Sequence, residues 1–445
     1  MDFNAFKKIV IGKCAELGIE EYELYYQSAE STSVSAFQHE INQFTGSNEG
    51  GVCFRCIVGG KMGYASTEDM SAEQAGLIVK KAADNASVLE AEEEVFLCEG
   101  GQEYAVLEEC AYATPSTEEI VSKVLATQEK LYAADPAVID GCQTQGVAES
   151  CEIAIYNSKG LDLQSKTTLS GLVVVAVVSD GQEMANDFQI KLAKFDTIDA
   201  NKLTNEAVKS ALRKLGGEVA PTGQYPVVFS PEAMSDLLQT YASIFSSRAA
   251  QKGLSKLLDK EGEKIASDVV TLVDDPFHPD APMKRTFDAE GSPTYKKNLI
   301  ENGVFKTLLY NLKTAAVAGK KTTGNASKSD YASAVGISPF TMYLAAGKMT
   351  EEELLSKAGN GVYINSLGGL HAGANAVSGD FSLQSAGFMI ESGRKTTAVK
   401  SFTVAGNFYE LLKNITAVAS NLELPGMAHF GAPSVLVEGL SIAGK

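Results

Sequence analysis

One stretch constrains the fold of this chain more than any other: residues 379–420, GDFSLQSAGFMIESGRKTTAVKSFTVAGNFYELLKNITAVAS. Its first half holds two apolar runs, Phe388-Met389-Ile390 and a second ending Ser401-Phe402-Thr403-Val404, separated by Glu391-Ser392-Gly393-Arg394. Gly393 can take φ > 0 without a Cβ clash, so this half predicts a hairpin. The second half changes period. Phe408, Leu411, Leu412, Ile415, Val418 and Ala419 follow the i, i+3, i+4, i+7 rule and predict one apolar face of a helix. Asn407, with Glu410 three residues on, comes close to a capping box and marks the start of that helix. A hairpin feeding directly into an amphipathic helix is a core unit.

The rest of the chain supplies more of the same parts. A first helix is expected over 3–17, then strands over 23–27 and 32–36, then a hairpin in which GVCFRCIV turns at Gly59-Gly60-Lys61. Ser71 with Gln74 opens a helix over 71–86. Residues 84–115 are acidic and poorly periodic and read as a surface excursion; a capped helix over 117–134 follows. The plan then returns: strands over 151–156, 161–165 and 172–178, a glycine turn at Asp180-Gly181, and a helix over 200–215. The run LVVVAVV lacks alternation, as a strand covered on both faces would. Residues 216–226, rich in Gly and Pro, are the best linker. Beyond it, Ser230 caps a helix with Pro231 at its first position and Met234, Leu237, Leu238, Tyr241 and Phe245 on its apolar face. Ile300-Glu301-Asn302-Gly303-Val304 echoes the turn at Gly393, and both hairpins are expected in one antiparallel system. The expectation is therefore α+β with two domains. The first, 1–220, is α/β with a duplicated strand-helix plan; the second, 221–445, is mostly antiparallel, β-rich and barrel-like, with helices.

Charge narrows the function. Lys and Arg number 38 against 56 Asp and Glu, a net charge of −18 that repels phosphate backbones, so no nucleic-acid partner is expected. No apolar run reaches the roughly 18 residues that a membrane span needs. The N-terminal residues form an amphipathic pattern and not a signal peptide, so a cytoplasmic location is expected. Seven cysteines, an odd number, are expected to be reduced. Cys53 and Cys56 have CxxC spacing on a strand, where side chains three apart point to opposite faces, which argues against a metal or redox site.

The catalytic inventory is thin. There is no HExxH, HExxxH, GxSxG or Walker loop, and only His39, His278, His371 and His429 represent histidine. His39-Glu40 has no second ligand after it. His278 lies among Asp274, Asp275 and Asp280 in a loop that reads either as a solvated acidic loop or as a cation site. His371 lies in the Gly-rich GGLHAGANAVSGD, where backbone amides can contact a ligand; His371, Gly373 and Asp380 are the candidate substrate-binding residues. The carboxylates Asp380 and Glu391 are a further, weaker candidate pair for an unrecognised enzyme site.

The ordered series GDFS…AGFMIESG…VKSFTVAGN…LLKNITAVASNLE resembles the C-terminal half of the TldD/PmbA family, proteins linked to peptide processing and named as modulators of DNA gyrase. The resemblance runs through most of the chain and is densest over 225–445. In the TldD branch, a helix after the linker carries a HExxxH zinc motif with the Glu as general base, and a Cys near the C-terminus completes the site. Laid over VVFSPEAMSDLLQTYASIFSS, the two His positions fall at Gln239 and Ile244 and the Glu position at Thr240. The segment NLELPGMAHFGAPSVLVEG has no Cys, and His429 alone stands near the late ligand. This pattern resembles the PmbA branch, also called TldE, which lacks the metal ligands. The resemblance implies that this chain carries no catalytic residue and no metal, with zinc expected only in a TldD-like partner. It also implies a dimer with that partner or with itself, and small unfolded or linear peptides, such as microcin precursors and antitoxins, as substrates. The alternative is a metal-independent homodimeric peptide-binding or scaffold protein without hydrolytic activity.

Overall fold

The structure, a computed structural model, describes residues 1–89, 95–107 and 113–445. The acidic run Glu92-Glu93-Glu94 and Cys110 lie outside the described residues. The first half contains α1 (Phe3–Leu17), β1 (Glu21–Phe37), β2 (Glu40–Val58), β3 (Lys61–Thr67) and α2 (Ala72–Ser87). It continues with α3 (Thr117–Ala133), β4 (Gln143–Asn157), β5 (Asp162–Ser179), β6 (Met184–Leu192) and α4 (Ala200–Leu212). The duplicated plan is present as three strands and flanking helices, twice over. The two copies join through β1 and β4 into one antiparallel sheet of order β3-β2-β1-β4-β5-β6. Local chemistry sets the ends: Ser71 and Ser116 cap α2 and α3, and Gly59 and Gly60 both take positive φ in the tight β2–β3 turn.

Alternation along β1 separates two interfaces. Tyr22 and Leu24 pack with α1 and α2, and Val34 and Ala36 pack with α3 and α4. Tyr25, on the other face, joins Cys53, Cys151, Ile153 and Ile155 against Phe287 and Leu312 of the second half. The polar side of this seam is buried as well: Arg55 donates to Glu23 at 2.8 Å and stands 3.8 Å from Glu290. Asp288 accepts from the amides of Glu290, Ser292 and Ala326.

The second half contains β7 (Glu218–Val219), β8 (Gly223–Phe229), α5 (Pro231–Tyr241), α6 (Ser247–Gln251), β9 (Leu272–Asp274), β10 (Lys297–Glu301) and β11 (Val304–Phe305). Next come α7 (Leu312–Val317), β12 (Ala326–Ser327), β13 (Gly336–Ile337), β14 (Met342–Leu344), α8 (Glu351–Ala358), β15 (Gly361–Gly368) and α9 (Leu370–Gly373). It ends with β16 (Asp380–Glu391), β17 (Arg394–Asn407), α10 (Phe408–Asn414), β18 (Ile415–Val418), β19 (Phe430–Gly431) and β20 (Val435–Ala443). Strands β20, β8, β15, β16 and β17 close into a five-stranded barrel, because β20 pairs with both β8 and β17. The barrel is antiparallel except for β8 and β15. A second sheet runs β11-β10-β9-β14-β19, and α5 lies in the core that the barrel and this sheet share.

Several expectations need correction. The two short strands over 23–36 are one strand, because the polar residues between them are held on both sides by β2 and β4. LVVVAVV is covered on one face only: Leu172, Val174, Ala176 and Val178 are buried against α3 and α4, while Val173, Val175 and Val177 are half-buried opposite them. The linker 216–226 is not free chain, since β7 pairs with β17 and β8 belongs to the barrel. The last helix stops at Asn414, and β18 follows because Ile415–Val418 pair with β20. The two hairpins lie in different sheets, since β10 pairs with β9 whereas β16 pairs with β15. Helix α4 ends at Leu212 and not at 215. Among the described residues all six cysteines are free and buried, and Cys53 and Cys56 sit in different core clusters on opposite faces of β2.

Candidate functional site

Helix α5 has two faces. Ala233, Met234, Leu237, Leu238 and Tyr241 anchor it in the core. Ser230 caps it by accepting from the Ala233 amide at 3.1 Å, and Pro231 suits its first turn. The opposite stripe is polar: Glu232, Asp236 and Gln239, spaced by four and three, share one side of the helix. Asp187 of β6, Lys214 just beyond α4, and Glu423 stand near enough to Glu232 to act on its charge. Helix α9 and strand β19 pack against α5. The polar stripe therefore faces the place where the two halves of the chain meet, with Glu232 and Gln239 exposed. Glu232 keeps contact with solvent while protein crowds it.

That crowding changes the acids. Burial pushes the Glu232 carboxyl up to about 7, with Asp187 and Asp236 adding to the shift and Lys214 opposing it. Burial pushes Asp236 up to about 6. Two carboxyls that titrate near neutrality can donate or accept a proton against the amides or amino group of a bound peptide. They also make stability depend on pH. The folded chain holds these protons more tightly than the unfolded chain, so stability falls as pH rises from the ordinary carboxylate value of 4.5 to about 7. Glu232→Gln removes that penalty. The variant is expected to melt above the parent at pH 8 and to converge with it at pH 4; parallel melting curves across this range would contradict the assignment.

The sequence-derived candidates are placed as follows. His371 is exposed on α9, which borders α5. The amides of Ala372 and Gly373 both donate to the Gly369 carbonyl, and those of Val377 and Ser378 go to the Asn375 side chain. These amides of the Gly-rich loop are thus taken up within the loop. A Cβ at Gly373 would stand 2.4 Å from the Ser382 carbonyl, so close packing on β16 requires glycine there. The Asp380 carboxylate accepts from Asn407 at 2.8 Å, which holds it below the usual carboxylate range. Asp380 and Glu391 are at opposite ends of β16 and form no pair. His278 is buried edge-on against Tyr343 with its Nδ1 accepting from the Asp280 amide. Asp274 beside it is fully buried and accepts from Lys297, Asn325 and the Phe340 amide. That loop is a packed seam and not a solvated acidic loop. No cluster of three metal-ligating side chains occurs among the described residues.

The metal positions fail a chemical test. Gln239 is exposed, Thr240 donates to the Asp236 carbonyl at 2.7 Å, and Ile244 is buried in the core on a 3₁₀ turn that follows α5. Zinc takes imidazole, thiolate or carboxylate donors. An isoleucine side chain has none, so these residues do not fit the ion. Sequence reasoning missed Glu232 and Asp236; an acidic pair at i, i+4 opposite an apolar stripe was the available signal.

The comparisons with known proteins agree with this architecture. A model of the PmbA/TldA metallopeptidase C-terminal domain matches residues 222–444, one of domain 1 matches 22–86, and one of the central domain matches 111–215. The chain belongs to the PmbA/TldD metallopeptidase family. It is similar to the metalloprotease PmbA homolog of Haemophilus influenzae, 26% identical over 93% of this chain and 90% of that protein. Other curated relatives are matched over only 48 to 65% of their own length. Among solved structures, a protein described as a modulator of DNA gyrase from Thermotoga maritima superposes with a TM-score of 0.91 at 30% identity, covering 99% of this chain and 100% of that one. TldE from Thermococcus kodakarensis follows at 0.88 and 25%, with coverage of 99% and 100%. Among the described residues no helix is long and apolar enough to cross a membrane.

Proposed function

We propose that this chain is the metal-free subunit of a TldD/PmbA-type peptidase and processes or degrades small unfolded peptides in the cytoplasm together with a zinc-bearing TldD-like partner. The observation that carries the reading is at the end of α5, where the ligand positions of the family's zinc motif hold Gln239, Thr240 and a core-buried Ile244. The likeness to TldE over the whole chain supports the same assignment. In this reading the partner supplies the metal and its Lewis acidity. This chain binds and orients peptide along the polar face of α5, and its Glu232 and Asp236 hold protons there. A partner closed over that face excludes water from the peptide bond. The purified chain is expected to retain no stoichiometric zinc by elemental analysis after dialysis, whereas about one zinc per chain, the load of a catalytic site, would overturn the proposal.

A further inference from the structure

The turn from Asp288 to Ser292 carries the second half of the chain into the first. We infer that this turn is a pH-sensitive plug, in which Glu290 holds a proton while the halves are docked and releases it to water when they part. Three residues of the first half hold the turn in place. The Tyr104 hydroxyl donates to the Gly291 carbonyl at 2.8 Å, and Cys98 Sγ stands 3.6 Å from the Ser292 hydroxyl. A Cβ at Gly291 would lie 2.5 Å from Leu161 Cδ1, so the approach is as close as glycine allows. Glu290 is thereby buried, and its Oε2 accepts from the Leu312 amide at 2.8 Å.

Three carboxyls meet one guanidinium here, and they are not equally served. Asp288 accepts three backbone amides, each at 2.9 Å. Glu23 takes the Arg55 Nε at 2.8 Å. Glu290 Oε1 lies 3.8 Å from Arg55 Nη1, beyond hydrogen-bond reach. Ionised, Glu290 would be a buried charge beside two other carboxylates, with the guanidinium already committed to Glu23. Burial raises its hold on a proton and the Glu23 charge adds to it, while Arg55 and the Leu312 amide oppose the shift. Asp288 and Glu290 titrate as a pair, and burial raises both; the three amides favour the carboxylate at Asp288 and leave the last proton to Glu290. Farther out, Lys328 and Tyr64 face Arg55, and Lys297, Cys98 and Tyr104 face Asp288. Undocking returns Glu290 to water and to the ordinary value of 4.5. The docked carboxyl holds its proton more tightly, so docking is fully supported below that value and weakens as the pH rises through the docked one.

The test is hydrogen exchange of the full chain from pH 6 to pH 9, with rates corrected for the intrinsic effect of pH. Protection of the Ser292 and Leu312 amides is expected to fall about tenfold over this range in the parent, and the barrel amide of Val228 serves as the reference for global unfolding. Glu290→Gln keeps an acceptor for the Leu312 amide and stays neutral at every pH, so its seam protection is expected to hold within about twofold. Glu23→Gln frees Arg55 to pair with Glu290 and is expected to flatten the same dependence without touching the turn. Constant protection in the parent would overturn the inference. So would a Glu290→Gln or a Glu23→Gln variant that retains the full fall of the parent.

Discussion

Arg55→Ala is expected to cost about 3–5 kcal/mol of folding stability. Arg55 is 5% exposed, and its removal would leave Glu23 and Glu290, themselves 2% and 4% exposed, buried without their cation. The residue is also a seam residue: Arg55 and Glu23 come from β2 and β1, and Glu290 comes from the second half. Loosened docking should accompany the loss, visible as faster proteolysis between the halves. The ion cluster is itself imperfectly satisfied, since Glu23 Oε2 and Arg55 Nη2 lack partners among the described residues. Arg55→Met combined with Glu23→Leu is therefore expected to recover part of the loss, because an apolar pair replaces a buried ion pair. A denaturant midpoint for Arg55→Ala equal to that of the parent would refute this account of the seam.

Tyr241→Ala is expected to be nearly as damaging, at roughly 3–5 kcal/mol. The ring is fully buried and stacks on Phe408 with centroids 4.4 Å apart and planes 8° from parallel. Its hydroxyl donates to the Asp380 carbonyl at 2.8 Å. It thereby ties the end of α5 to the first residue of β16 and to the start of α10. Tyr241→Phe isolates the hydroxyl. The Asp380 carbonyl keeps a second donor, the Asn375 amide at 2.9 Å, so only about 1 kcal/mol is expected for the conservative change. Equal losses for the two variants, measured in urea, would show that the stack contributes little.

Local signals in the sequence were legible and long-range ones were not. The caps at Ser71, Ser116, Ser230 and Asn407 and the turn at Ser392-Gly393 depend on residues a few positions apart, and each is where the sequence implies. The duplicated plan was legible for the same reason. Ile415 and Val418 suit a helix face and a strand equally, and pairing with β20 decided between them. Which sheet each hairpin joins, and that the barrel closes through β20, depends on partners far along the chain. The site follows the same rule. Asp380 and His371 stood out in a Gly-rich loop, but the bonds from Asn407 and within the loop could not be read from spacing. Glu232 and Asp236 were overlooked because Asp187 and Lys214, which lie in the other half of the chain, help to shape that environment.

The central claim is that this chain works on peptides only beside a zinc-bearing subunit, and cleavage of a linear peptide measures it most directly. Three samples are compared: this chain alone, a HExxxH-bearing TldD-like partner alone, and the two mixed. The account predicts no cleavage by this chain alone, cleavage in the mixture above that of the partner alone, and its loss when a zinc chelator is added. Cleavage by this chain alone that survives the chelator would contradict the account. So would a mixture no more active than the partner, the behaviour expected of a scaffold without a hydrolytic role.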